Sequence, residues 1–152
     1  MARAIELKSY IPYLITAIHN TAASLFAQKY SAQFGIGLNE WSCIALLASE
    51  DNISATRICE VGGFDRSIVS RSINALIDRG YVASQPVPSH NRKRLLNITP
   101  EGRLIHDQIM EAVLIGQEEL LNGLNEKQRS NLLKYLQLLH QNALAHKRSL
   151  KE

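Results

Sequence analysis

The fold is decided by the stretch from Ser54 to Gly102, which reads SATRICEVGGFDRSIVSRSINALIDRGYVASQPVPSHNRKRLLNITPEG. Its middle, residues 65–80, is predicted to form one short helix, because apolar residues recur there at helical spacing. The members of this apolar stripe are Val69, Ile73, Leu76 and Ile77. Asp65 is expected to cap the helix at its N-terminus, and Gly80 is expected to end it.

The residues around this helix complete a larger unit. A preceding helix is predicted over 55–61 with Ser54 as its cap, and Gly62–Gly63 supplies a tight turn. Helix, short turn and second helix are the order of a helix-turn-helix. A hairpin is predicted next, with strands over 81–85 and 95–98. The whole is interpreted as a winged helix-turn-helix.

Two sets of polar side chains in this unit are candidates for contact with DNA. Hydroxyls, amides and guanidinium groups reach base edges and phosphates. The candidates are Arg66, Ser67, Ser70, Arg71 and Asn74 on the second helix, and Arg92, Lys93 and Arg94 at the hairpin tip. Residues 65–103 hold seven Lys or Arg against three acidic residues, so this segment is cationic although the chain carries only +3. For each charge taken singly, the alternative is an ordinary solvated surface.

Several short motifs of this stretch occur in the order and spacing of a known family. They are DRSIVSR at 65–71, Leu76 with GYV at 80–82, Arg92, and ITPEG at 98–102. In these motifs the chain resembles the MarR family of transcriptional regulators. Two positions depart from the family pattern, since His90 stands where Asp is usual and Gln85 where a basic residue is common.

Long apolar-striped helices are predicted on both sides of the winged unit, over 9–34 and within 100–146. Their stripes are most simply buried against the same helices of a second copy, giving a two-fold homodimer, as the resemblance also implies. The alternative is packing within one chain. The expected fold class is therefore mainly α with a small β-wing. Residues 1–152 are interpreted as a single MarR-type domain whose DNA-binding part is 38–100.

Local signals predict where the other helices begin. Asn39 is expected to cap a helix over 40–49, and Thr99 with Pro100 to start the helix after the wing. Asn125 with Gln128 resembles a capping box for the last helix. By the resemblance, Ile53 is expected to add a short strand to the wing.

A dimer of helix-turn-helix units places its two second helices in successive major grooves about 34 Å apart. The expected partner is therefore an inverted repeat in double-stranded DNA. The resemblance further implies a small ligand, often an aromatic carboxylate, bound between the dimerisation helices and the winged unit. Candidate ligand contacts are Tyr10, Tyr13, His19, Trp41 and His106. For each of them, core packing or a spectator role is the alternative.

Composition and motifs also argue against several other classes of protein, including membrane proteins, secreted proteins and enzymes. No apolar run approaches membrane-spanning length and no secretory signal is recognisable, so a cytoplasmic protein without membrane contact is expected. Phosphate loops, metal-ligand spacing and nucleophile elbows are missing from the sequence, so neither an enzyme nor a cofactor is expected. Cys43 and Cys59 are interpreted as buried free thiols, with a redox switch as the alternative. A winged helix that binds only proteins is a further alternative.

Overall fold

Six α-helices, a short 3-10 helix (Leu7–Ser9) and a two-stranded antiparallel sheet make up the computed structural model, which describes residues 5–87 and 90–150. The side chains of Phe26, Lys29 and residues 90–93 lie outside this description. The elements are α1 (Ile11–Phe34), α2 (Leu38–Ser49), α3 (Ala55–Gly62), α4 (Arg66–Asp78), β1 (Val82–Val87), β2 (His90–Ile98), α5 (Pro100–Leu120) and α6 (Glu126–Ser149). The predicted fold class, mainly α with a small β-wing, is confirmed.

Most of the predicted helix caps are confirmed. The Ser54 hydroxyl accepts the Arg57 N–H at the start of α3, and the Thr99 hydroxyl accepts the Gly102 N–H at the start of α5. At α6, Asn125 and Gln128 form the reciprocal capping box. These bonds satisfy N–H groups that the first turn of a helix leaves without partners.

The predicted Asn39 cap is wrong, because α2 begins two residues earlier than its apolar pattern indicated. Gly37 is the N-cap residue, and its N–H donates to the Glu40 carboxylate at 2.8 Å. Asn39 consequently lies inside the first turn and is exposed. Glu40, three residues after the cap, instead provides the return bond of a capping box, since its carboxylate accepts the N–H of the N-cap residue.

The core of the winged unit lies between α2, α3, α4 and the sheet. The fully buried side chains include Ile44 and Leu47 of α2, Ile58 of α3, and Val69 and Leu76 of α4. Val82 and Leu96 close this core from the two strands, and Tyr30, Ile36 and Ile109 extend it towards α1 and α5. Because the apolar stripe of α4 points inward, its opposite face is held outward.

The wing is joined to the turn between α2 and α3. Strands β1 and β2 pair with Val82 opposite Ile98. Ile53 forms an isolated bridge with Leu96, with N–H···O distances of 3.3 and 2.8 Å, as expected for a short added strand. Beside it, Asn52 and Asn97 exchange hydrogen bonds of 2.8 and 3.1 Å.

The residues that follow β2 are hydrogen-bonded to the residues that follow α4. The Thr99 hydroxyl donates to the Gly80 carbonyl at 2.7 Å, and the Thr99 N–H donates to the Tyr81 carbonyl at 3.0 Å. A Cβ atom at Gly102 would collide with that same Tyr81 carbonyl oxygen, so only glycine fits there. The paired GYV and ITPEG motifs are thus one packed contact that fixes the wing relative to α4.

The flanking helices α1, α5 and α6 leave many large apolar side chains exposed. They include Ile11, Leu14, Ile18 and Leu25 of α1, Leu114, Ile115 and Leu120 of α5, and Leu133, Leu136, Leu138 and Leu139 of α6. Helix α6 buries none of its residues. Within the described ranges, no helix has the combined length and apolarity that a membrane crossing needs.

Candidate nucleic-acid interface

An open groove runs between the outward face of α4, the start of α3 and the wing. Four of the five α4 candidates line it, namely Arg66, Ser67, Ser70 and Asn74. Arg94 of β2 lines the same groove from the opposite side. The structure therefore brings together side chains from the second helix and from the wing, which the sequence could place only on separate elements.

Arg71 is the one candidate on α4 that does not line this groove. It borders a smaller depression on the α2 side of the helix, next to Gly37 and Glu40. Its Nε donates to the Ser67 carbonyl at 3.4 Å, and the residue is exposed. Arg71 and the groove residues therefore occupy adjacent faces of one exposed helix.

Arg94 is held in place by a partner that sequence reasoning missed. Its Nε donates to the Ser84 hydroxyl at 2.6 Å, and its Nη2 donates to the Ser84 carbonyl at 3.1 Å. Ser84 lies on β1 and also lines the groove. The pairing register brings these two residues together, and a single sequence does not reveal register. Arg92 and Lys93 lie on β2, but their side chains are outside the described part of the chain.

Other arginines of the cationic segment have structural partners. Arg79 donates to the Gly35 carbonyl at 2.6 Å, and Arg103 donates to the Ala48 carbonyl at 2.8 Å. These two bonds tie α4 and α5 to the C-terminal ends of α1 and α2. The charge counted along the sequence therefore exceeds the charge available at the groove.

Arg57, on α3, also lines the groove and was missed because the sequence analysis sought DNA contacts only on the second helix and the hairpin and counted charge only over residues 65–103. It forms a two-point contact with Glu50, with Nε and Nη2 each 3.0 Å from a carboxylate oxygen. The hydrogen bonds from Arg57 lower the pKa of Glu50 and, reciprocally, raise the pKa of Arg57. This pair holds one guanidinium at the edge of the groove.

The five candidate ligand contacts fall into two groups. Trp41 and His106 stack at the α2–α5 junction, with ring centroids 5.5 Å apart and planes inclined by 19°. His106 Nδ1 lies 2.7 Å from an Asp107 carboxylate oxygen. Tyr13 and His19 are exposed along the first half of α1, and Tyr10, the N-cap residue of this helix, is also exposed.

Next to this stack, the hydroxyl of Tyr30 is buried without a hydrogen-bond partner among the described residues, and burial raises its pKa. The Tyr30 ring lies 6.1 Å from that of Trp41.

The two cysteines are both free thiols in different surroundings. Cys43 is 1% exposed, and burial, reinforced by Cys59 and Glu40, raises its pKa to about 12. Its thiolate, the reactive form, is therefore scarce at neutral pH. Cys59 is half-buried. Among the described residues, no three His, Cys, Asp or Glu side chains are grouped so that they could hold a metal ion.

Comparisons with known proteins agree with this geometry. The model of the MarR family matches residues 34–93, from the end of α1 into β2. A protein of Thauera aromatica, named for transcriptional regulation of the hcr operon, is 22% identical over 115 residues, which cover 76% of this chain and 69% of that protein.

Solved structures share the fold over nearly the whole chain. A MarR/EmrR family transcriptional regulator from Acinetobacter sp. ADP1 superposes with a TM-score of 0.83 at 23% identity, covering 91% of this chain and 98% of the other. CouR from Rhodococcus jostii RHA1, solved with p-coumaroyl-CoA, has a TM-score of 0.78 at 18% identity, covering 90% and 96%. Residues 34–93 thus match the model of the MarR family, and the chain shares its winged helix-turn-helix and overall fold with solved structures that include a MarR/EmrR family transcriptional regulator.

Proposed function

We propose that the protein is a homodimeric repressor that binds an inverted repeat in double-stranded DNA and is released by a small ligand. The observation that carries this proposal is the convergence of α4 and the wing on one open groove. A recognition helix in the major groove would bring Arg66, Ser67, Ser70, Arg71 and Asn74 to bases and nearby phosphates. Arg94, with Arg92 and Lys93 on the same strand, would contact the flanking backbone or minor groove.

The homodimer rests on the apolar surface that a single chain leaves exposed on α1, α5 and α6. Contiguous exposed apolar surface of this kind is uncommon on monomers and marks interaction sites. Leu136 and Leu139 lie one helical turn apart on α6 and are 44% and 40% exposed. We therefore assign residues 9–34 and 100–146 to dimerisation and residues 38–100 to DNA binding.

Release by a ligand is supported by the fold shared with CouR, which was solved with p-coumaroyl-CoA. A ligand can release DNA only if it binds more tightly to an arrangement of the dimer that does not fit the operator. Trp41 and His106 join α2 of the winged unit to α5 of the dimerisation helices, so a ligand at this junction could bias their arrangement. Tyr13 and His19 of α1, with Tyr10 at its N-cap, stay in the proposal as further ligand contacts.

The decisive experiment is a gel shift with the DNA upstream of the protein's own gene. Arg66→Ala is expected to weaken binding about 5- to 150-fold, because one bidentate arginine–base contact contributes roughly 1–3 kcal/mol. Lys127→Ala, which removes the same charge from the exposed start of α6, is the matched control and should bind like the wild type. A protein that is monomeric, or that ignores every duplex fragment at low salt, would refute the proposal.

A further inference from the structure

The groove between α3, α4 and the wing is larger than a small-molecule site. Its volume of about 1480 Å³ exceeds the roughly 300–1,000 Å³ of such sites. The major and minor grooves of a duplex are separated by one sugar–phosphate strand. With α4 in the major groove and the wing at the flanking minor groove, as proposed above, that strand has to cross between them. Charged side chains that line this path are therefore candidates for phosphate contacts, and Arg57 of α3 is one of them.

Arg57 and Arg94 line this groove from α3 and from the wing, and their hydrogen-bond partners differ in charge. Arg94 is held by the hydroxyl and the carbonyl of Ser84, which are both neutral. Arg57 is held by a carboxylate, because its Nε and Nη2 each lie 3.0 Å from an oxygen of Glu50. The side chains of this pair are 49% and 36% exposed. The charge of Arg57 is therefore neutralised by Glu50 although its guanidinium remains accessible from solvent.

We propose that Arg57 binds a backbone phosphate of DNA, and that Glu50 competes with this phosphate by occupying the same guanidinium in the free protein. An arginine presents parallel N–H donors that match carboxylates and phosphates in the same two-point geometry. The two acceptors therefore exclude each other at Nε and Nη2 of Arg57. This inference rests on the DNA binding proposed above, and it adds to that function one phosphate contact and one internal competitor.

The exchange of Glu50 for a phosphate favours DNA at low salt. An exposed ion pair is weak, because water and salt screen it. Duplex DNA carries one charge per about 1.7 Å of its axis, and each phosphate contact also releases condensed counterions. Glu60 lines the same groove one helical turn after Arg57 and attracts its guanidinium as well, so it retains part of the competition when Glu50 is replaced. Because phosphates carry no sequence information, Glu50 should lower the affinity for all duplexes alike.

The phosphate contact is tested by gel shifts at several salt concentrations with two duplexes of equal length, the DNA upstream of the protein's own gene and an unrelated fragment. Arg57→Ala should weaken binding to both by the same factor. It should also reduce the slope of log affinity against log salt by about 0.9 per half-site. Glu50→Gln combined with Arg57→Ala should show the same loss of slope, which excludes repulsion by an unpaired Glu50 as its cause. Lys8→Ala, exposed on the short 3-10 helix before α1, removes the same charge and should bind like the wild type.

The competition is tested by Glu50→Gln, which removes the charge and keeps the shape of the side chain. It should tighten binding to both duplexes by about 1.5- to 5-fold per half-site, the range of an exposed ion pair. Asp51→Asn removes the same charge from the next residue, which is also exposed, and should tighten binding less. In a protein that already carries Arg57→Ala, Glu50→Gln should gain no more than Asp51→Asn does. This double-mutant cycle separates the pair from a general change of charge.

Three results would overturn the inference while leaving the proposed function intact. Unchanged affinity and salt slope in Arg57→Ala, with thermal melts showing a folded protein, would mean that Arg57 does not contact DNA. Weaker binding in Glu50→Gln would mean that the carboxylate positions Arg57 for DNA and does not compete with it. Equal gains in Glu50→Gln and Asp51→Asn would reduce the effect to net charge. A wild type that binds neither duplex at low salt would instead refute the proposed function itself.

Discussion

The winged unit and the helices that flank it bury their apolar side chains in different ways. Around α4, a single chain completes the core, and Leu47, Ile58 and Leu76 are fully buried. On α6 no residue is buried, although leucines recur there at helical spacing. The same helical periodicity thus describes a completed core in one region and an exposed apolar surface in the other.

The largest expected effect is the loss of the dimer, and with it of DNA affinity, when the exposed leucines of α6 are replaced by charged residues. Leu136→Glu combined with Leu139→Glu should convert a dimer into monomers, because each charge would be buried against the second copy. DNA affinity should then fall by roughly 100- to 10,000-fold, since two linked half-site contacts become one. Sedimentation and gel shifts would measure both effects. Gln137→Glu, on the same exposed helix, is the control, and a double variant that stayed dimeric would contradict the assignment of α6.

The next largest effect is on the free energy of unfolding and concerns the buried core of the winged unit. Leu76→Ala removes a fully buried side chain from α4 and should lower the free energy of unfolding by about 2–5 kcal/mol. Leu150→Ala, at a 75% exposed position just after α6 and outside the residues assigned to dimerisation, should change it by less than about 0.5 kcal/mol. Urea unfolding of both variants would measure the contrast. Equal losses would mean that the two regions do not differ as their exposure indicates.

The sequence predicted the parts of this molecule that depend on local order. The stripe of α4, the Ser54, Thr99 and Asn125 caps and the helix-turn-helix order follow from residues close together in the chain. Other features depend on tertiary contacts. The bonds of Arg79 to Gly35 and of Arg103 to Ala48 join residues 44 and 55 positions apart, so a count of charge along the chain cannot exclude them from the groove.

A smaller effect on DNA affinity is expected from the contact between Ser84 of β1 and Arg94 of β2, which the pairing of the two strands creates. Ser84→Ala removes the hydroxyl that accepts from Arg94, and it should weaken DNA binding about 2- to 10-fold, the range of one hydrogen bond. Ser84→Thr keeps a hydroxyl on a residue suited to strands and should bind nearly as well as the wild type. Gel shifts at several salt concentrations would measure both variants. An unchanged affinity in Ser84→Ala would show that Arg94 needs no support from β1.

The smallest expected effect is on thermal stability and concerns the ion pair between Glu50 and Arg57. It tests whether Arg57 is held by a carboxylate of its own chain. Arg57 lowers the pKa of Glu50 in the folded protein below its usual value of about 4.5. The stabilisation is therefore fully present above that value and is lost as the pH falls through the lower, folded pKa. Wild type should melt slightly above Glu50→Gln at pH 7, and thermal melts should show the two melting temperatures converging below about pH 4.5.

Added salt should reduce the same difference in melting temperature, because exposed ion pairs are screened. A difference that persisted unchanged at pH 3 and high salt would arise from packing of the longer side chains, and Arg57 would then be free to turn towards DNA.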